Sequence, residues 1–332
     1  MRRRDFTIGV LLASAAQSVG AQEASKQRRI AVVRPSGSLA LISDTGISFY
    51  RAFFAELRRL GDVEGKNLTV ERYSGEGQPE HYADLAREVV NRKPEVIVVS
   101  NDAIAQAAHT TNGTMPIVMV TGGDPIQAGL ATSLARPGGN ITGVMVQQAG
   151  SKMDGKRLQI LKEAVPSVAK VAYLELSAYW GEDEASLHEH GRRLQISLTG
   201  MLLRESNPTE VQRVFAELAQ NRPDAIMVNG RAELTPYDQL IVELANGSRL
   251  PAMYPWRDYA EAGGLMAYEG DLGEIGRRAA DDVHEILYGA KPGDIPFYQT
   301  TRYELVINLK AAKAIGLTFP PALLGTADEV IE

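Results

Sequence analysis

Arg29-Ile30-Ala31-Val32-Val33 is a short apolar run, and Ser48 to Leu60 follows it with Phe49, Ala52, Phe53, Leu57 and Leu60 on one side and Gly61 behind. The first segment reads as a strand buried on both faces. The second reads as an amphipathic helix closed by a glycine. A strand feeding a helix in this way is the repeating unit of a parallel sheet covered by helices.

The unit recurs in both directions along the chain. Strands are expected at Asn67 to Tyr73, Glu95 to Val99 and Pro116 to Val120, with helices at Pro79 to Arg92, Ala103 to His109 and Gln127 to Leu134. After a crossing strand at Ile141 to Val146 the alternation resumes. Helices are expected at Lys152 to Ala164, Glu184 to Leu198, from Asn207-Pro208 onward, at Pro236 to Ala245 and at Leu272 to Tyr288. Strands fall between them at Val168 to Leu174, Met201 to Arg204, Asp224 to Val228, Pro251 to Tyr254 and Leu265 to Tyr268. Tyr303 to Asn308 and Leu309 to Ile315 close the series as strand and helix. More than about ten strands strain a single open twisted sheet. Two α/β lobes, each a doubly wound parallel sheet, are the expected solution. Arg136-Pro137-Gly138-Gly139-Asn140 and Ala262-Gly263-Gly264 mark natural boundaries.

The amino terminus reads as a signal peptide over residues 1–21. Arg2, Arg3 and Arg4 precede an apolar run from Phe6 to Ala16, and Val19-Gly20-Ala21 precedes Gln22. The run is shorter than the ~20 residues a membrane span needs, so cleaved export is expected. Arg3-Arg4-Asp5-Phe6 fits a twin-arginine address. Cleavage leaves 311 of 332 residues, enough for two lobes, with no later run able to span a bilayer. Losing three arginines and one aspartate takes the net charge from −6 to −8. An acidic chain without a basic cluster argues against nucleic acid and anionic membrane as partners. The absence of cysteine excludes thiol catalysis, disulfides, a lipidated cysteine and Cys-ligated metal. The expected product is a free monomer in the periplasm, with no membrane insertion after cleavage.

Catalytic signatures are missing. There is no phosphate-loop motif and no Gly-x-Ser-x-Gly elbow, and Gly75-Glu76-Gly77 lacks the third glycine of a dinucleotide fingerprint. His188 and His190 lie two apart on a helix and cannot chelate one metal. Glu182-Asp183-Glu184 suits the positive end of a helix. No enzyme activity, cofactor or metal is expected.

A small ligand is another matter. Doubly wound sheets bind ligands beyond the carboxyl ends of their strands, where helix N-termini present free N–H groups. Ser36 follows the first strand, Ser100 and Asn101 the third, Thr121 and Asp124 the fourth, and Asn229 and Arg231 a strand of the second half. Gly, Asn, Asp and Ser also serve ordinary turns and caps; the weight lies in all these loops sharing one edge. Tyr179, Trp180, Tyr254 and Trp256 add aromatic walls, and both tryptophans of the chain are among them. Asp124 could pair an ammonium and Arg231 a carboxylate, which suits an amino acid. Small aromatic or organic acids remain alternatives.

Specific stretches resemble the bacterial ABC-transporter substrate-binding family that includes the tryptophan/tyrosine-type binding proteins. They include Leu60-Gly61-Asp62-Val63-Glu64-Gly65-Lys66-Asn67-Leu68, Gly123-Asp124-Pro125 with Gly129-Leu130, and Leu134-Ala135-Arg136-Pro137-Gly138-Gly139-Asn140-Ile141-Thr142-Gly143-Val144. Lys156-Arg157-Leu158, Ala262-Gly263-Gly264-Leu265-Met266, Glu304-Leu305-Val306-Ile307-Asn308-Leu309-Lys310 and Ala327-Asp328-Glu329-Val330-Ile331 extend the resemblance almost end to end. The resemblance implies a type I periplasmic binding fold with two Rossmann-like lobes and a three-crossing hinge. Lobe I would hold residues 28–143 and 268–297, and lobe II residues 144–267 and 298–332. It also implies capture of a small solute by hinge closure and delivery to an ABC permease in the inner membrane. A sensor component feeding a signalling receptor is the alternative role, and an enzyme on the same fold a more remote one. One segment departs from the family: relatives often carry an Asn-Pro-rich turn after the second lobe's first strand, where this chain has Glu175-Leu176-Ser177-Ala178-Tyr179-Trp180.

Overall fold

The computed structural model describes residues 27–121, 123–146 and 153–332. The expected signal peptide, residues 1–21, lies outside them.

Strand β1 (Arg28–Arg34) shows why the opening stretch decides the architecture. Ile30, Ala31, Val32 and Val33 are all buried, as a strand covered by helices on both faces requires. Helix α1 (Ser48–Leu60) turns Phe49, Tyr50, Phe53, Phe54 and Leu57 inward, and Gly61 ends it at a left-handed φ of 97°. The chain continues with β2 (Leu68–Ser74), α2 (Tyr82–Asn91), β3 (Val96–Val99), α3 (Asp102–Thr111), β4 (Ile117–Thr121), β5 (Ile141–Met145), α4 (Met153–Ala164) and β6 (Lys170–Leu176). Next come α5 (Trp180–Leu194), β7 (Ser197–Leu203), α6 (Pro208–Asn221), β8 (Ala225–Val228), α7 (Asp238–Gly247), β9 (Ala252–Tyr254), α8 (Arg257–Glu261) and β10 (Met266–Gly270). Last are α9 (Leu272–Leu287), β11 (Tyr298–Gln299), β12 (Tyr303–Asn308), α10 (Leu309–Ile315), α11 (Pro321–Leu324) and β13 (Glu329–Ile331).

Two sheets result: six strands in the order β11-β5-β4-β3-β1-β2 and seven in the order β13-β12-β10-β9-β8-β6-β7. Each has an apolar cluster on both faces, so each lobe owns its core. Among the described residues all strand pairs are parallel except β10 with β12. In the first lobe α9 lies directly on α1, because Gly276 has no Cβ; one there would sit 2.3 Å from the Phe49 carbonyl oxygen.

Around the expected crossings at Val144, Tyr268 and Tyr298 the strands stay paired within their sheets. Met145 still pairs with Thr121 in the first sheet, β10 runs to Gly270 in the second, and Tyr298 and Gln299 pair with Val144 and Met145. Three expected elements also differ. The helix expected to reach Leu198 stops at Leu194, since Gln195 adopts a left-handed φ of 58° and β7 then begins at Ser197. The segment expected as a helix from Gln127 is a single turn: Ala128 N–H reaches the Asp124 carbonyl, and Gly129 at φ 71° ends it. Beyond Ile315 the chain adds α11 and an edge strand, β13, which pairs with β12.

Candidate functional site: the cleft between the lobes

The carboxyl ends of β1, β3, β6 and β8 open toward the same interlobe space, and the loop after β8 reaches across it. Asn229 shapes that loop: its Oδ1 accepts the Arg231 N–H at 2.8 Å and its Nδ2 donates to the Tyr173 hydroxyl at 2.6 Å. The loop thereby delivers Glu233 against the first lobe. The Glu233 carbonyl accepts from Ser36 Oγ (3.0 Å) of the first lobe and Ser206 Oγ (2.6 Å) of the second. Its carboxylate Oε1 accepts from Asn101 Nδ2 (3.0 Å), Tyr179 OH (3.1 Å) and Tyr82 OH (3.3 Å). Arg34 Nη2 donates to Thr235 Oγ1 at 3.1 Å beside them.

Two glycines permit this approach. A Cβ on Gly37 would lie 2.5 Å from Pro236 Cγ, and one on Gly77 would lie 2.9 Å from Ser206 Cβ; both glycines also have positive φ. Glu233 is only 2% exposed. Burial pushes its carboxyl above the usual range, while Arg231 and the phenols pull the other way. Burial, reinforced by the Glu233 charge, raises the Tyr82 and Tyr179 phenols, so both stay protonated and donate. Arg231 lies over the Tyr179 ring with its guanidinium carbon 3.8 Å from the centroid, and its Nε is 3.5 Å from Glu175 Oε2.

Beside β10 and α9 the cleft is built differently. The first-lobe residue Ser48 donates from N and Oγ to Asp258 of the second lobe, at 3.1 and 2.5 Å. Arg51 reaches Asp258 and Glu261 at 3.8 and 3.7 Å. Behind these contacts, against the crossing at Gly270–Gly273, lies a cavity of about 270 Å³.

Of the residues singled out in the sequence, Ser36, Asn101, Tyr179 and Arg231 come together in the cleft. Ser100 follows β3 beside the buried Tyr50 phenol. Thr121 ends β4, its side chain outside the described residues, as is Gly122. Asp124 Oδ1 accepts the Ile126 and Gln127 N–H groups at 2.8 and 3.3 Å, which makes it a turn cap.

Three aromatics do not line the cleft as expected. Trp180 packs on Tyr173 and His188, on the opposite face of the second sheet from Tyr179, because consecutive residues at a helix start diverge. Tyr254 is fully buried and stacked on Tyr259 at 5.1 Å, and Trp256 joins the same core at 7% exposure. They are the core of the second lobe rather than a wall.

Glu233, Tyr82, Arg34, Ser206 and Asp258 were not anticipated. Glu233 stands two residues after Arg231, and Tyr82 opens the helix after β2, so both occupy the same strand edge already under suspicion. Nothing in their local patterns distinguishes them from solvated loop residues.

The model of the family described as ABC transporter substrate binding protein matches residues 41–331. A tyrosine-binding protein of Clostridioides difficile is 25% identical over 278 residues, covering 80% of this chain and 76% of that protein. Among solved structures, a conserved domain protein from Vibrio cholerae is 26% identical with a TM-score of 0.79, covering 92% of this chain and all of that one. The ABC domain from Streptococcus pneumonia in complex with L-Trp is 22% identical with a TM-score of 0.75, again covering 92% of this chain and 100% of that one. The two-sheet α/β architecture is thus that of type I periplasmic binding proteins. Matched across nearly its whole described length, the chain belongs to the ABC transporter substrate-binding protein family.

Proposed function

We propose that the chain is the solute-capturing component of an importer: it binds a small amino-acid-like or aromatic solute between its lobes, closes on it, and docks on an ABC permease. The observation that carries this reading is the Glu233 carboxylate, held at once by Asn101 and Tyr82 of one lobe and Tyr179 of the other. Buried polar groups of this kind need partners, and here the partners meet only when the lobes are together. Ser36, Asn101, Tyr179 and Arg231 are the proposed contacts of the solute when it enters that space. A relative named for tyrosine and a structural neighbour holding L-Trp support an aromatic amino acid as its chemical class. The arginine pair and apolar run of the leader support export to the periplasm by the twin-arginine route.

A thermal-shift panel of amino acids and aromatic acids tests the reading. A solute at 100-fold over its Kd adds roughly 2.7 kcal/mol of stability. A clear rise in Tm with at least one member is expected. A flat response across the panel contradicts capture of this class.

A further inference from the structure

We infer that the hinge-side cavity is the seat of the solute's ammonium group, with Glu269 as the residue that recognises it; this deepens the capture reading and rests on it. Glu269 lines the cavity and is 7% exposed. One carboxylate oxygen pairs with the buried Arg157 guanidinium. The other, Oε1, is shielded from solvent and accepts no hydrogen bond among the described residues. A buried carboxylate oxygen without a donor is costly, and a ligand donor is the natural complement.

The surrounding charges point to the same ligand chemistry. Four carboxylates line the cavity (Glu261, Glu269, Asp271 and Glu304) against two guanidiniums, Arg51 and Arg257. Both cations are already engaged: Arg51 with Glu261 at 3.7 Å, Arg257 with Glu261 at 2.8 Å and Glu304 at 3.3 Å. The antiparallel register of β10 and β12 sets Glu269 directly opposite Glu304, two like charges already paired with Arg157 on one side and with Arg257 and Arg302 on the other. Arg157, Arg277 and Arg302 complete the pairing of the carboxylates, so what is left unmet is a donor for Glu269 Oε1, which a primary ammonium supplies. A volume of about 270 Å³ suits a small solute, just below the ~300–1,000 Å³ of pockets for larger ligands. The cavity also abuts Gly270–Gly273, the second crossing, so an ammonium seated on Glu269 would be read by the segment that joins the lobes.

Titration calorimetry with the leader-free protein tests this with four probes: L-tyrosine, L-tryptophan, 3-(4-hydroxyphenyl)propionate and indole-3-propionate. The last two lack only the amino group. The amino acids are expected to bind about 10- to 100-fold tighter than their des-amino counterparts, the range set by one hydrogen bond to a charged group. Glu269→Gln is expected to erase that ratio by weakening the amino acids toward the level of the propionates. Glu304→Gln, which leaves the Arg157 bond intact, is expected to shrink it several-fold and covers the case in which Glu269→Gln fails to fold. Propionates that bind as tightly as the amino acids, or a ratio that survives both substitutions, overturn the ammonium site and leave capture standing. Binding of none of the four overturns the ammonium site, and capture falls with it only if the thermal-shift panel is flat as well.

Discussion

The two ends of the interlobe cleft do opposite things with their buried charge. At the end far from the hinge, the Glu233 carboxylate meets three neutral donors and the lobes seal against each other. At the hinge end, Glu269 keeps one oxygen unmatched beside a cavity of about 270 Å³. The same residue type thus serves as a latch where its bonds are made within the protein and as a socket where one is left unmade. Net hydrogen-bond energies are small, whereas the penalty for an unmade buried bond is not. The contrast therefore separates a part of the cleft whose polar groups already hold one another in the closed form from a part that keeps an unmade bond for the solute's ammonium.

The largest expected effect comes from the latch. Glu233→Ala removes the common acceptor of Asn101, Tyr82 and Tyr179, each bond to a charged group being worth about 1.5–3 kcal/mol before the donors rehydrate. Small-angle scattering should show the lobes apart, while Tm changes little because each lobe has its own core. An unchanged radius of gyration would show that Glu233 does not hold the lobes together. The same residue makes closure pH-dependent. Burial raises the Glu233 carboxyl above its ordinary 4.5, so the closed form binds more protons than the open one. Raising the pH through that window then weakens closure, by up to about 1.4 kcal/mol per unit. Scattering against pH should show this slope in the wild type and none in Glu233→Gln.

Asp258→Ala probes the hinge end with a smaller effect. It removes the acceptor of Ser48 N and Oγ and a loose pair with Arg51, contacts worth about 1 kcal/mol together once solvent replaces them. Urea titration should show a slightly lower midpoint. The smallest effect is expected outside both ends. Asp124→Ala loses a turn cap, about 0.5–1 kcal/mol, and leaves solute affinity unchanged in calorimetry. A drop in affinity would show that the first lobe's Gly123-Asp124-Pro125 turn touches the solute after all.

Much of the fold is legible in the sequence, and the reason is periodicity. Ile30 to Val33 and Tyr303 to Asn308 have one reading each, because a buried strand leaves little choice of residue. Boundaries fail where a single backbone angle decides, as at Gln195 and Gly129. The cleft is half legible. Ser36, Asn101 and Arg231 follow from the rule that ligands gather at strand ends. Trp180, Tyr254 and Trp256 mislead because an aromatic beside such an edge serves the core equally well, and one residue of offset exchanges the two faces. Glu233 and Glu269 stay hidden for a different reason. Their surroundings come from the other lobe or from a paired strand, and no local pattern records which carboxylate will be buried.

Closure around a solute brings the two lips of the cleft together, so a distance across the mouth reports it. The chain has no cysteine, so spin labels at Glu80→Cys and Glu205→Cys, both exposed and on opposite lobes, report that distance alone. The solute-free distribution is expected to hold a long component that collapses to one short distance as a stabilising solute from the thermal-shift panel saturates the protein. A distribution that does not move while that solute binds would contradict it.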